Sequence, residues 1–264
     1  MNHPLPTITP PDDSKNDNQS PVQLAEAQVL RTLEAGRIDI QGLLPYSSNH
    51  SFLVTVNDGE QVLPAVYKPR HGESPLWDFD HGTLCNRETA AYQVSLGLDW
   101  HLVPPTILRQ GPHGPGSVQF YVENDPNVHY FSAQADARFA RTMRQITLFD
   151  AVINNADRKS GHCLVSENGR MWAIDHGICF HREYKLRTVI WEFSNQSIAA
   201  DLLDDLAQFQ TTLTTPAAPI TQALAALLTQ HEMHAMGQRL MLLLVSERYP
   251  SPLALQRNFP WPPI

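Results

Sequence analysis

The feature that most constrains how this chain folds is a change of hydrophobic period part-way along it. Residues 37–45, 51–56 and 62–68 (RIDIQGLLP, SFLVTV and VLPAVYK) are short runs rich in β-branched residues. Such runs suit a pleated, half-buried surface better than a helix. Asp58-Gly59, between the second and third runs, is a strong hairpin signal. These runs predict a three-stranded antiparallel unit with Lys68 at the end of its third strand. Beyond residue 125 the spacing turns helical, over 132–154, 198–210, 219–230 and 231–249. Strands early and helices late predict an α+β fold of two lobes.

Around these elements, residues 24–35 place Leu24, Val29, Leu30 and Leu33 at helical spacing, and Gly36 supplies a stop. A second helix is expected over 83–96, carrying Glu88, and another strand over 117–125. The polar break at 124–126 divides the chain into lobes 24–125 and 126–264. Residues 1–23, rich in Pro, Asp, Asn and Ser, read as a disordered tail that cannot repay the entropy of ordering. A length of 264 residues suffices for a real core. The net charge of −8 opposes a nucleic-acid partner, because such binding depends on cations displacing counterions from phosphates. Cys85, Cys163 and Cys179 form no CxxC pair and suit a reducing compartment as small buried hydrophobes. The start has no secretory pattern, and the apolar run 240–245 is too short to cross a bilayer. A cytoplasmic protein without a transmembrane segment is expected.

The chemistry concentrates in residues 150–180, DAVINNADRKSGHCLVSENGRMWAIDHGICF. Asp157 lies in a polar loop after a helix end, and Asp175 follows the second strand of a hairpin built from CLVS and MWAI about ENG. A loop aspartate can orient a hydroxyl and take its proton, while one at a strand end can hold a divalent ion against phosphate oxygens. Phosphoryl transfer also needs a cation on the phosphates, which Lys68 supplies, and Glu88 on the following helix can anchor that cation.

NNADRKSGHCL with WAIDHGICF resembles the type II phosphatidylinositol 4-kinase pattern of N-x-D-R followed by I-D-N-G, and more distantly the HipA-like kinases. The sequence is similar, over residues 42–193, to small bacterial members of the atypical phosphatidylinositol 3-/4-kinase-like superfamily. The resemblance implies a bilobal protein-kinase-like fold, with an antiparallel-sheet N-lobe and a mostly helical C-lobe. It further implies that ATP and Mg²⁺, or Mn²⁺ in its place, bind in the cleft. The γ-phosphoryl group would pass to a hydroxyl of a lipid head group, a protein or a metabolite.

By the same resemblance Asp157 is the catalytic aspartate, in a loop shaped by Asn155 and Arg158, and Asp175 is the metal ligand. Lys68 holds the phosphates with Glu88 as its partner. Residues 46–52 form the covering loop, where Ser47 and Ser48 assist backbone amides in place of the missing glycines. Adenine is received near Phe120, Tyr121, Val122 and Glu123 through main-chain groups. Arg182, Lys185 and Arg187 stand where lipid kinases recognise an anionic head group. One position departs: His162 replaces the asparagine expected as second metal ligand, and imidazole is a poor ligand for Mg²⁺. Either one metal suffices, or Mn²⁺ is favoured, or His162 touches phosphate.

Two other functions fit the same residues, a nucleotide-binding pseudokinase and a nucleotidyl (AMP) transferase. A zinc site of Cys163, His176, Cys179 and His181 matches no ribbon or finger spacing, and His231 and His234 miss the i, i+4 register of a zinc-protease helix. Residues 111–116, GPHGPG, read as turn punctuation.

Overall fold

The structure, a computed structural model, describes residues 21–44 and 49–264. The early β-rich runs form β1 (Arg37–Leu43), β2 (Phe52–Asn57) and β3 (Val62–Pro69), paired antiparallel in sequence order. Gly59 turns the β2–β3 hairpin at φ +92°, a conformation that costs a side chain strain. The sheet is larger than the three strands expected. Strands β4 (Thr106–Gly111) and β5 (Gly114–Phe120) join it to give the order β1-β2-β3-β5-β4. The strand expected over 117–125 therefore begins earlier and stops at Phe120. There the Phe120 and Tyr121 N–H groups donate to the carbonyls of Pro105 and Pro64, the last bonds of the two ladders.

Alternation along β3 decides what each face of the sheet does. Leu63, Ala65 and Tyr67 are fully buried and pack with Val29 and Leu33 of helix α1 (Pro21–Ala35). Lys68, the next residue after Tyr67, consequently points from the opposite face.

Helix α2 (Leu84–Gly97) follows β3 but does not belong to that small core. Its Ala90, Ala91, Tyr92 and Val94 lie in the larger cluster, with the helices of the second half. This places α2 between sheet and helices. Those helices are α3 (Tyr130–Ala133), α4 (Ala140–Ile153), α5 (Ala200–Leu213), α6 (Pro219–Leu227) and α7 (Gln230–Ser246). The single helix expected over 132–154 is broken after Ala133. Asp136 accepts the Arg138 N–H, so a capping side chain competes with continuous helix there.

Strands β6 (Cys163–Val165) and β7 (Met171–Ala173) form the short hairpin expected between the two aspartates, in the register Cys163 to Ala173. The loop before β6 and the segment after β7 emerge at the same end of it. The result is a mixed α+β fold of the bilobal kinase kind, an antiparallel sheet over a helical half. Among the described residues no helix is long and apolar enough to cross a membrane.

Candidate functional site

Lys68 projects from β3 across to α2 and to the segment after β7. Its ammonium pairs with Glu88 Oε1 and lies 2.9 Å from Asp175 Oδ1. The second oxygen of Glu88 accepts the backbone N–H of His176 at 2.9 Å, so Glu88 is used on both sides. The Glu88 side chain is only 4% exposed, whereas that of Asp175 is 46% exposed and opens to the cleft. Gly116 lies across from this end of β3, and any Cβ there would collide with the Lys68 carbonyl oxygen. Asp175 sits at φ +61°, a left-handed conformation that a non-glycine residue adopts only when its surroundings impose it.

The charges in this cluster are coupled. Burial alone would lower the Lys68 ammonium, but Asp175 and Glu88 outweigh it and hold it well above the usual lysine range. The Lys68 ammonium in turn holds Asp175 far below the usual carboxylate range. Burial pushes Glu88 upward, against the pull of Lys68. Two acids thus compete for one cation.

The loop after α4 is built from the inside. Asn154 ends the helix in the left-handed region, and its side chain donates to the carbonyls of His181 and Glu183 and accepts the Lys185 N–H. Asn155 accepts the Asp157 N–H through Oδ1 at 2.9 Å and donates to Asp150 Oδ1 at 2.9 Å. Arg158 is wholly buried and makes a forked pair with the buried Asp150, both bonds 2.9 Å. It also donates to the carbonyls of His162 at 3.1 Å and Ile174 at 2.9 Å, tying the loop to the residue before Asp175.

Asp157 faces outward beside Lys159, whose Nζ is 3.4 Å from its Oδ2. Burial raises the Asp157 carboxyl to about 6, opposed by Lys159 and reinforced by the charge of Asp175. His162 Nε2 lies 3.2 Å from Asp175 Oδ2. Burial brings His162 down to about 4, so it is neutral near pH 7.

Other expected residues fall elsewhere. Ser47 and Ser48 lie outside the described residues. Phe120 packs its ring against the α1-side core, Val122 is buried and Glu123 is exposed. The three expected acceptor cations are not equivalent. Lys185 Nζ is 2.8 Å from Asp78 Oδ2 and 5.2 Å above the Trp77 ring, so it is already paired. Arg182 is exposed, and Arg187 donates its N–H to the Asn155 carbonyl while its charge bears on Asp157.

Sequence reasoning missed Asp150, Lys159 and the Trp77–Asp78 contact, and weighed His176 only as a zinc ligand. Asp150 carried a readable signal, an acid inside the fully buried run Leu148, Phe149, Asp150. Among the described residues, no group of three or more His, Cys, Asp or Glu is arranged to hold a metal alone. Asp175 with the neighbouring His162 fits a divalent ion that takes only one or two protein ligands and its remaining oxygens from phosphates.

This geometry agrees with the comparisons to known proteins. A family profile described as Phosphatidylinositol 3- and 4-kinase matches residues 104–210, which include both aspartates. The chain belongs to that atypical kinase-like superfamily. The chain is 35% identical to Protein Rv2133c of Mycobacterium tuberculosis over 263 residues, covering 87% of this chain and 93% of that protein, and shares its family. It is 29% identical to Phosphatidylinositol 4-kinase gamma 4 of Oryza sativa subsp. japonica over 105 residues, 36% of this chain and 18% of that one. Among solved structures, the fold is similar to the Golgi casein kinase crystallised with Mn/ADP bound. That match has a TM-score of 0.55 at 15% identity, covering 92% of this chain and 81% of the other.

Proposed function

We propose that the chain is an ATP-dependent phosphotransferase that moves the γ-phosphoryl group to a hydroxyl acceptor. The observation that carries this reading is the Lys68 ammonium held between Glu88 and Asp175 in the cleft. In this reading Lys68 meets the α- and β-phosphates and Glu88 fixes its position. Adenine lies against the chain after β5, near Val122 and Glu123. Asp175 would hold Mg²⁺ or Mn²⁺, with His162 beside its other oxygen, and the ion would neutralise charge on the phosphates. Asp157, mostly ionised at pH 7 with its carboxyl near 6, accepts the acceptor hydroxyl's hydrogen bond and takes its proton. The acceptor oxygen forms the new bond to phosphorus as the bond to the β-phosphate oxygen breaks, and ADP leaves. Arg182 and Arg187 border the acceptor side, where a lipid head group, a protein or a metabolite would sit. Three unpaired, buried cysteines support a reducing, cytoplasmic setting.

A second reading, nucleotide binding without transfer, is favoured by one observation. His162 stands against Asp175 where an oxygen ligand would suit Mg²⁺ better. The test offers γ-labelled and α-labelled ATP, with Mg²⁺ or Mn²⁺, to phosphoinositides, generic proteins and a metabolite extract. We expect γ label on an acceptor, lost in Asp157→Asn and Asp175→Asn. α label on the product would indicate AMP transfer, and binding alone would favour the second reading. Both variants transferring as well as the parent would overturn the assignment.

A further inference from the structure

His176 is a fully buried imidazole that the proposed chemistry leaves without a task. Its Nε2 lies 2.7 Å from Arg158 Nη2, and its ring meets Phe149 edge-on with centroids 5.5 Å apart. A guanidinium has only donors, so Nε2 must be the acceptor and the ring proton must sit on Nδ1. Nδ1 is buried and has no hydrogen-bond partner. The ring thus leaves one nitrogen unsatisfied while the other holds Arg158, an arrangement whose cost calls for a role.

The backbone of the same residue donates to Glu88 Oε2 at 2.9 Å. Arg158 itself reaches Asp150 on α4 and the carbonyls of His162 and Ile174. We infer that His176 is a positioning residue: its Nε2 lone pair holds Arg158 and its backbone N–H holds Glu88. One residue thereby fixes the loop of Asp157 and the helix partnering Lys68 relative to Asp175. The inference rests on the phosphotransfer reading for its consequence, though not for its geometry.

Three variants of the full chain separate the parts. His176→Phe keeps a flat ring against Phe149 but has no acceptor for Arg158. His176→Gln restores an acceptor near the Nε2 position, and His176→Leu controls for packing. Supporting hydrogen bonds around a metal site typically set its affinity by about 10-fold or more. We expect Mn²⁺ half-saturation, measured with a non-hydrolysable ATP analogue, to rise about 10-fold in His176→Phe and His176→Leu and to return within about 3-fold in His176→Gln. A merely structural role would lower thermal stability in all three without this rescue. In ¹⁵N-histidine NMR, the signals missing from His176→Phe should show Nδ1 protonated and Nε2 bare. Protonation on Nε2, or unchanged Mn²⁺ affinity in a folded His176→Phe, overturns the inference. A parent protein that shows the expected tautomer but binds no Mn²⁺ sinks the phosphotransfer reading instead, and the tautomer then decides the positioning claim alone.

Discussion

Asp157 is held in a state that favours chemistry over stability. Its carboxyl is raised from the usual 3.8 to about 6, chiefly by burial, so the folded protein keeps this proton longer than the unfolded chain does. Stability from this group is present below about pH 4 and is lost as pH rises through about 6. Asp157→Asn will therefore raise the melting temperature at pH 7.5 and leave it nearly unchanged at pH 4, which calorimetry at the two pH values checks. The same substitution will lower turnover by about 100-fold or more, because it removes the proposed proton acceptor. The parent's kcat/KM will climb with pH through about 6, as Asp157 ionises. Lys159, 3.4 Å away, is the cation placed to moderate that ionisation.

Among the elements, α4 is fastened to its loop by a charge pair with no water to share. Asp150 and Arg158 are both 0% exposed, and removing one partner strands the other. Asp150→Ala will cost about 3–5 kcal/mol, read as a shift in the urea midpoint. Helix α1 is latched differently. Glu26 accepts the Tyr92 hydroxyl and lies 2.8 Å from His101 Nδ1, while Asp99 lies 3.1 Å from His101 Nε2. The hydrogen bond to Glu26, helped by Asp99 and opposed by burial, raises His101 above its usual 6.5. Its stabilisation is complete below pH 6.5 and fades as pH rises through the raised value. The urea midpoint will fall from pH 6 to 9 in the parent, with a shallower slope in Glu26→Gln.

What the sequence disclosed about these elements follows from where their information lies. Strands β2 and β3 could be read because their period and the Asp58-Gly59 turn are local. Strand β4, TILRQG, could not, since Arg109 and Gln110 interrupt its pattern and pairing with β5 makes it a strand. Lys68, Glu88, Asp157 and Asp175 were legible by residue type and order. His176 was legible only as a rejected zinc ligand, because its contacts with Glu88 and Arg158 exist only once separate segments meet. Lys159, two residues from Asp157, lay within reach of a local reading that looked only at the acids.

For the molecule as a whole, a ligand that seats between sheet and helices stabilises both. Nucleotide with Mn²⁺ at about 100 times its dissociation constant will add about 2.7 kcal/mol to unfolding, and Lys68→Ala will abolish that gain in a thermal-shift titration. Lys68 is shared between Glu88 and Asp175, so at this point of the cleft two carboxylates answer to one ammonium. A bare polyphosphate reaching Lys68 would meet the exposed Asp175 carboxylate beside it, and a divalent ion on Asp175 would offset that charge. Chelators will strip the nucleotide along with the ion, and added divalent salt, which weakens most charge-driven encounters, will here draw the nucleotide in.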